Sequence, residues 1–315
     1  MQDFRSNLQD TLRTALDAAR FLPPGPEAGY WSFQLNPAPP AIRSPDDFSG
    51  GDRLCIAPTQ TNLSTRAQKQ LVERWCQFLP ALEGVRYIWV TSKVSQDLFE
   101  AACRVRGLEG LYVKWSSINS VTSLGAAKSL KYLRIGSSPA ITDLTPISKL
   151  VQLNWLELDN LKTISDLTPL QALSNLEGLG FTGAEGHHHT VSSFAPLAKL
   201  DRLRWLHLGA IHTKDNSLRA LGTLKNLRWL GIGNFFPWQE FAWLSAQLPN
   251  TACPWFTPGD DLGRIGIKCK HCGNGIMLLS GKGSGKLCPV CNAGKFSAFS
   301  AMFLTSAAVA RTVGT

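Results

Sequence analysis

The chain has 315 residues, 44% hydrophobic and 17% charged, which suits a sizeable buried core and excludes an intrinsically disordered protein. Lys and Arg exceed Asp and Glu by 32 − 23 = 9, and the surplus is local: from Leu262 onward there are seven basic residues (Arg264, Lys268, Lys270, Lys282, Lys286, Lys295, Arg311) and no acidic one. The N-terminus has no uninterrupted apolar run of the secretory kind. The apolar stretch "FSAFSAMFLTSAAVA" from Phe296 reads as too short and too rich in Ser and Ala to span a membrane, so a cytoplasmic protein without membrane contact is expected.

In chain order, Phe4, Leu8, Leu12, Leu16 and Ala19 fall on one helical face and predict an N-terminal helix over 1–21. Seven prolines between Pro23 and Pro45 then predict an irregular connector over 22–52. "STRAQKQLVERWCQFL" from Ser64 predicts a helix with Leu71, Trp75 and Phe78 inward, and Ser95 opens a second in "SQDLFEAACRV". With a degenerate first repeat these make an N-terminal cap over 53–107.

Self-similarity governs the region 108–250. "ITDLTPISKLVQLNWLELDN" is followed by "ISDLTPLQALSNLEGLGFTG" at an offset of 23 residues. Strand-like cores align on Ile88, Leu111, Leu133, Leu156, Leu179, Leu206 and Leu230, with gaps of 23, 22, 23, 23, 27 and 24. The one long gap holds "GAEGHHHT", expected as an inserted surface loop. A unit of this size cannot bury its leucines alone, and stacking closes the core between neighbours. The pattern resembles leucine-rich repeats, most closely the internalin-like kind with "IxDLxPL" return segments, here "ITDLTPI" and "ISDLTPL" with weaker echoes in "VSSFAPL" and "VTSLGAA". The resemblance implies an α/β fold: a leucine-rich repeat solenoid with parallel strands on its concave face. The Asn usual after the strand is absent or shifted, since Asn160 and Asn234 sit one place early, and no wall-anchoring segment speaks for an adhesin.

Side chains alternate on a strand. With Leu156 and Leu158 inward, one outward column reads Tyr87, Gly110, Tyr132, Trp155, Gly178, Trp205 and Trp229, and a second reads Trp89, Tyr112, Arg134, Glu157, Gly180, His207 and Gly231, with Asp159 beyond Glu157. A row of large aromatics on an open sheet face is a candidate protein-binding surface. Packing of the row by the chain's own ends is the competing expectation. Glycines 178, 180, 231 and 233 fit either close approach of another backbone or simple tolerance of small residues.

After a linker over 251–263, Cys269-x-x-Cys272 and Cys288-x-x-Cys291 carry the spacing of a four-cysteine metal site. Gly273 follows the first pair where a knuckle turn wants a positive φ. "IMLLSGKGSGKLC" predicts two strands around a glycine turn, and "KFSAF" a third. The segment 264–300 resembles a zinc ribbon more than a rubredoxin-like iron site, because the spacing is short and the tail basic. Four thiolates leave no open position, so one structural Zn2+ is expected, followed by a tail over 301–315. His271 reads as a solvent-facing spacer. Lys282 and Lys286 on the glycine turn are candidate phosphate contacts, while Lys268 and Lys270 are explained by the negative charge of a four-thiolate site.

"GLGFTG" lies on a repeat strand and opens no helix, so it is no dinucleotide motif, and "SGKGSGKL" lacks the glycine spacing of a phosphate loop. Adjacent His187, His188 and His189 cannot all face one ion, and Cys55, Cys76 and Cys103 sit in apolar surroundings as core thiols. No catalytic constellation stands out. The sequence therefore predicts a non-enzymatic interaction protein, such as an immunity, inhibitor or adaptor protein gripping a toxin or effector. A nucleic-acid-associated factor using the basic ribbon is the alternative.

Overall fold

A computed structural model describes residues 33, 36–183 and 188–313; the helix expected over 1–21 lies outside them. In chain order the elements are β1 (Arg53–Ile56), α1 (Thr65–Phe78), β2 (Tyr87–Val90), α2 (Gln96–Cys103), β3 (Gly110–Val113), β4 (Tyr132–Ile135), β5 (Trp155–Asp159) and β6 (Gly178–Thr182). There follow β7 (His189–Val191), β8 (Trp205–Leu208), β9 (Ile211–Thr213), β10 (Trp229–Ile232) and α3 (Trp238–Gln247). The chain ends in β11 (Gly259–Asp261), β12 (Met277–Leu279), β13 (Lys286–Leu287) and α4 (Ala293–Val313).

Eight strands form one parallel sheet in the order β1-β2-β3-β4-β5-β6-β8-β10. Its register matches the leucine alignment: Ile88, Leu111, Leu133, Leu156, Leu179, Leu206 and Leu230 are successive partners. All seven are fully buried. From β3 to β10 the return segments carry a 3-10 turn rather than a helix, and the sequence says why. In "ITDLTPI" and "ISDLTPL", Asp143 and Asp166 accept the amide protons of Thr145 and Thr168 at 2.8 Å, and proline sits in the first turn where its missing N–H costs nothing. Leu144, Ile147, Leu167 and Leu170 from these turns point into the core and are at most 2% exposed. At about 25 cal/mol per Å2, burial of such leucines supplies the stabilisation that no single repeat could reach.

Two parts of the solenoid differ from expectation. The sheet has an eighth strand, β1, in the region read as cap; Leu54 pairs with Ile88. The 34-residue step between them hides it from a 23-residue period, because here the return segment is the 14-residue α1. Part of the inserted "GAEGHHHT" segment is strand β7, which pairs with β9 in a separate two-stranded sheet.

The C-terminal end is also rebuilt. The segment read as a linker over 251–263 carries structure: Ala252 bridges to Trp229, the Leu230 amide donates to the Ala252 carbonyl at 2.9 Å, and Trp255 and Phe256 pack on the core. The solenoid's last leucines are therefore covered by this segment and by α3, whose Phe241 and Leu244 are fully buried. "KFSAF" is not the ribbon's third strand but the start of α4; β11, upstream of the knuckles, pairs with β12 instead. Residues 301–313 are no loose tail but the rest of α4, packed on α3 through Phe303, Ala307 and Ala310.

Candidate functional site

Two sites emerge: the outward face of the long sheet, and the four cysteines. On the sheet face, the premise that the aromatic column stands open to solvent is corrected. Trp155, Trp205, Trp229, Tyr87 and Trp89 are only 1%, 6%, 7%, 9% and 2% exposed. The indoles lie flat and stack on one another, Trp155 on Trp205 at 4.9 Å between ring centroids and Trp205 on Trp229 at 5.2 Å. Phe33 seals the other end of the row, meeting Trp89 and Tyr112 edge-on at 6.0 and 5.3 Å.

Glycine makes this possible. A Cβ on Gly178 would lie 2.0 Å from the Trp155 ring, and one on Gly231 would lie 2.2 Å from the Trp229 ring. Both glycines thus leave room for this chain's own rings rather than for another molecule's backbone. Gly233 does the same for Phe235, at 2.1 Å.

Above this indole floor the second column forms a polar network. Arg134 donates to Glu157 through Nη1 and to Asp159 Oδ2 through Nη2 at 2.8 Å. Trp155 Nε1 donates to Glu157 Oε1 at 2.7 Å, and Thr182 Oγ1 to Asp159 Oδ1 at 2.9 Å. Arg134 also lies over the Tyr112 ring, 5.4 Å from its centroid. Glu157 is 4% exposed, and its charge is matched by the guanidinium. Tyr112, Tyr132, Arg134, Asp159 and His207 remain half-buried, so of the predicted surface residues these present atoms to solvent.

His207 lies beside the stacked Trp205–Trp229 pair, its ring centroid 5.9 and 5.6 Å from theirs, and its Nδ1 is buried with no hydrogen-bond partner among the described residues. Burial pushes its pKa down to about 4, because removing water penalises the charged ring; Arg134 acts in the same direction and Asp159 against it. In the unfolded chain the ring titrates near its ordinary 6.5. The unfolded state therefore binds the extra proton between these values, and stability is retained above pH 6.5 and lost as pH falls towards 4. The expected loss is about 3 kcal/mol. Urea unfolding across that range checks it: His207→Gln should remove most of this slope, and an unchanged slope would contradict the burial of the ring.

In the ribbon, Cys269, Cys272, Cys288 and Cys291 have their sulfurs all within 4.8 Å of one another. Cys269 Sγ is 3.8 Å from Cys291 Sγ, and Cys272 Sγ is 3.4 Å from Cys288 Sγ. Those separations are far too long for disulfides. They approximate the roughly 3.8 Å edge of a tetrahedron with metal–sulfur bonds of about 2.3 Å. Gly273 has φ 72°, as the knuckle turn requires, and its amide donates to the Cys269 carbonyl at 2.9 Å. Asn274 donates to Cys272 Sγ at 3.3 Å and is the first cause of that thiol's pKa falling to about 6; the neighbouring sulfurs push Cys291 up to about 12. Four thiolates cannot share this space without a cation, and the donor set fits a metal ion. His271 is exposed, as expected of a spacer.

The ribbon docks through residues that sequence reading did not assign. Asn234, weighed only as a shifted repeat asparagine, donates to the Leu279 carbonyl at 2.9 Å and accepts from the Gly281 amide at 2.6 Å. The Lys282 amide donates to the Phe236 carbonyl at 2.8 Å. Gly281, at φ 98°, passes so close to Trp238 that a Cβ would meet its backbone at 2.4 Å. The side chains of Lys282 and Lys286 are exposed.

Among the described residues the four cysteines are the one cluster of three or more metal-capable side chains. His187 lies outside the described residues. His188 packs against Phe235 and His212 at 4.2 and 4.8 Å, while His189 bonds the Ile164 carbonyl through Nε2, so the two rings have different partners. Cys55 and Cys103 are buried and Cys76 half-buried, with all three thiol pKa values raised chiefly by burial.

No protein-family model matches the chain, and no curated protein matches it either. Among solved structures, it is similar to internalin C2 from Listeria monocytogenes, with 22% identity over 57% of this chain and 80% of that one and a TM-score of 0.44. It is also similar to a leucine-rich repeat protein from Leptospira interrogans, with 13% identity over 68% of this chain and 51% of that one and a TM-score of 0.49. At these TM-scores the likenesses say nothing of this chain's partners. The strand-and-turn repeat stands without them: the described residues fold as a leucine-rich repeat solenoid, followed by a four-cysteine ribbon and a C-terminal helix.

Proposed function

We propose that the chain is a non-enzymatic protein-binding module whose contact surface is the outward face of the repeat sheet, and that its ribbon holds one structural Zn2+. The observation that carries the reading is the half-buried row Tyr112, Tyr132, Arg134 and Asp159, which presents atoms to solvent beside a floor of buried indoles. Pre-ordered side chains lose little entropy on binding, and Tyr and Arg are the residue types that anchor interfaces. Zinc suits a closed tetrahedral set of four sulfurs at these distances. An immunity or adaptor protein, which occludes or tethers a toxin or effector, is a form of this function that needs no catalytic group.

The test is affinity capture from native lysate with the wild-type chain and a Tyr112→Ala/Asp159→Asn variant. A protein partner held at moderate salt by the wild type and lost by the variant supports the reading. Capture of nucleic acid instead, falling steeply with salt and abolished by Lys282→Ala/Lys286→Ala, would replace it with phosphate contact through the ribbon.

A further inference from the structure

The sequence set aside the apolar run from Phe296 as too short for a membrane role. In the structure it belongs to the 21-residue helix α4, about 31 Å long. By length and composition Ala293–Thr312 would suffice to cross a bilayer, yet the helix is not free to do so. One face is fastened to α3: Phe303, Ala307 and Ala310 are buried, Phe299 and Phe303 meet Trp238 at 5.8 and 6.3 Å, and Gln247 donates to the Ala310 carbonyl at 3.1 Å.

The other face is bare. Met302, Leu304 and Val309 are 52%, 58% and 56% exposed, with Ala298, Ala301 and Ala308 exposed between them. From Phe296 to Ala310 there is no charged residue, while Lys295 and Arg311 bracket the run. Ile265 and Val290 of the adjoining ribbon are 54% and 57% exposed. Of the seven cations after Leu262, Arg264 pairs with Asp260, and none of the other six is in an ion pair among the described residues.

We propose that α4 lies along an anionic lipid surface, its outer face entering the headgroup–acyl boundary while Lys295, Arg311 and the ribbon lysines meet lipid phosphates. Apolar side chains exposed on a helix gain by entering the headgroup–acyl boundary, and the cations at both ends of the run and in the neighbouring ribbon sequence add attraction to anionic lipid. Charge decides between occupants. A second copy docked on this face would bring two all-basic ends together, with no acidic residue after Leu262 on either side. A nucleic acid would use the lysines but gain nothing from Met302, Leu304 and Val309.

The experiment is co-sedimentation of the metal-loaded full chain with vesicles of phosphatidylcholine alone and of phosphatidylcholine and phosphatidylglycerol in equal parts. Binding to the anionic vesicles should be stronger by about ten-fold or more and should weaken with salt. Leu304→Gln/Val309→Gln should lose most of it. Lys295→Gln/Arg311→Gln, which leaves the helix face intact, should reduce the preference for phosphatidylglycerol even if the first variant folds poorly. Equal binding to both vesicle types, no binding to either, or a concentration-dependent dimer abolished by Leu304→Gln/Val309→Gln in the absence of vesicle binding would overturn the proposal.

Discussion

Cys272→Ser is expected to abolish stoichiometric metal binding and unfold the ribbon while leaving the repeat sheet folded. The reason is one of scale. The ribbon's sheet has strands of three, three and two residues, too little buried area to stand alone. Structural zinc in small domains contributes about 10–16 kcal/mol of apparent binding free energy, which is folding free energy in such a segment. The solenoid has its own continuous core from Leu54 to Leu248 and meets the ribbon through Asn234, Phe236 and Trp238. Elemental analysis should find one equivalent of metal in the wild type and none in the variant. Hydrogen exchange should show protection lost over 259–292 and kept in β2 to β10. Full metal content in Cys272→Ser, or unchanged protection of the ribbon, would contradict the site.

Trp155→Ala is expected to destabilise the chain by about 3–5 kcal/mol, the usual range for truncating a buried aromatic. A displayed tryptophan would give a far smaller effect, so the substitution distinguishes a structural floor from an open recognition ring. Loss of the indole also removes the donor to Glu157 Oε1 and opens space beside Trp205. Gly178→Ala should be damaging for the opposite reason: its new methyl would sit 2.0 Å from the Trp155 ring, and overpacking of this kind costs about 1–3 kcal/mol or more. Val151→Ala, at a position 47% exposed, should change little. Urea midpoints at constant m-value measure all three. A Trp155→Ala effect below about 1 kcal/mol would mean that the ring does not fill core space.

These contrasts show where sequence was a sufficient guide. The repeat register could be read to the residue, since a one-place slip would turn every leucine outward and the alignment tolerates none. The cysteine spacing was equally direct, because a tetrahedral ion accepts few chain geometries. Strand β1 was hidden because α1 replaces a short return turn and breaks the period. The helical state of "KFSAF" was hidden because alternation in five residues does not separate a strand from the opening of a helix, and packing on Trp238 decided it. The aromatic column was assigned to the correct face but the wrong solvent exposure. Parity says which way a ring leaves the sheet, not that it then folds down across a neighbouring strand. The glycines at 178 and 231 were the available signal: a missing side chain beside each indole marks where the ring lies.

Side-chain oxidation footprinting of the chain, alone and with the partner recovered by affinity capture, tests the central claim most directly. The account predicts that Tyr112 and Tyr132 lose reactivity in the complex, while buried Trp155 is unreactive in both states. Protection confined to residues 262–313, with the sheet face as reactive in the complex as in the free chain, would contradict it.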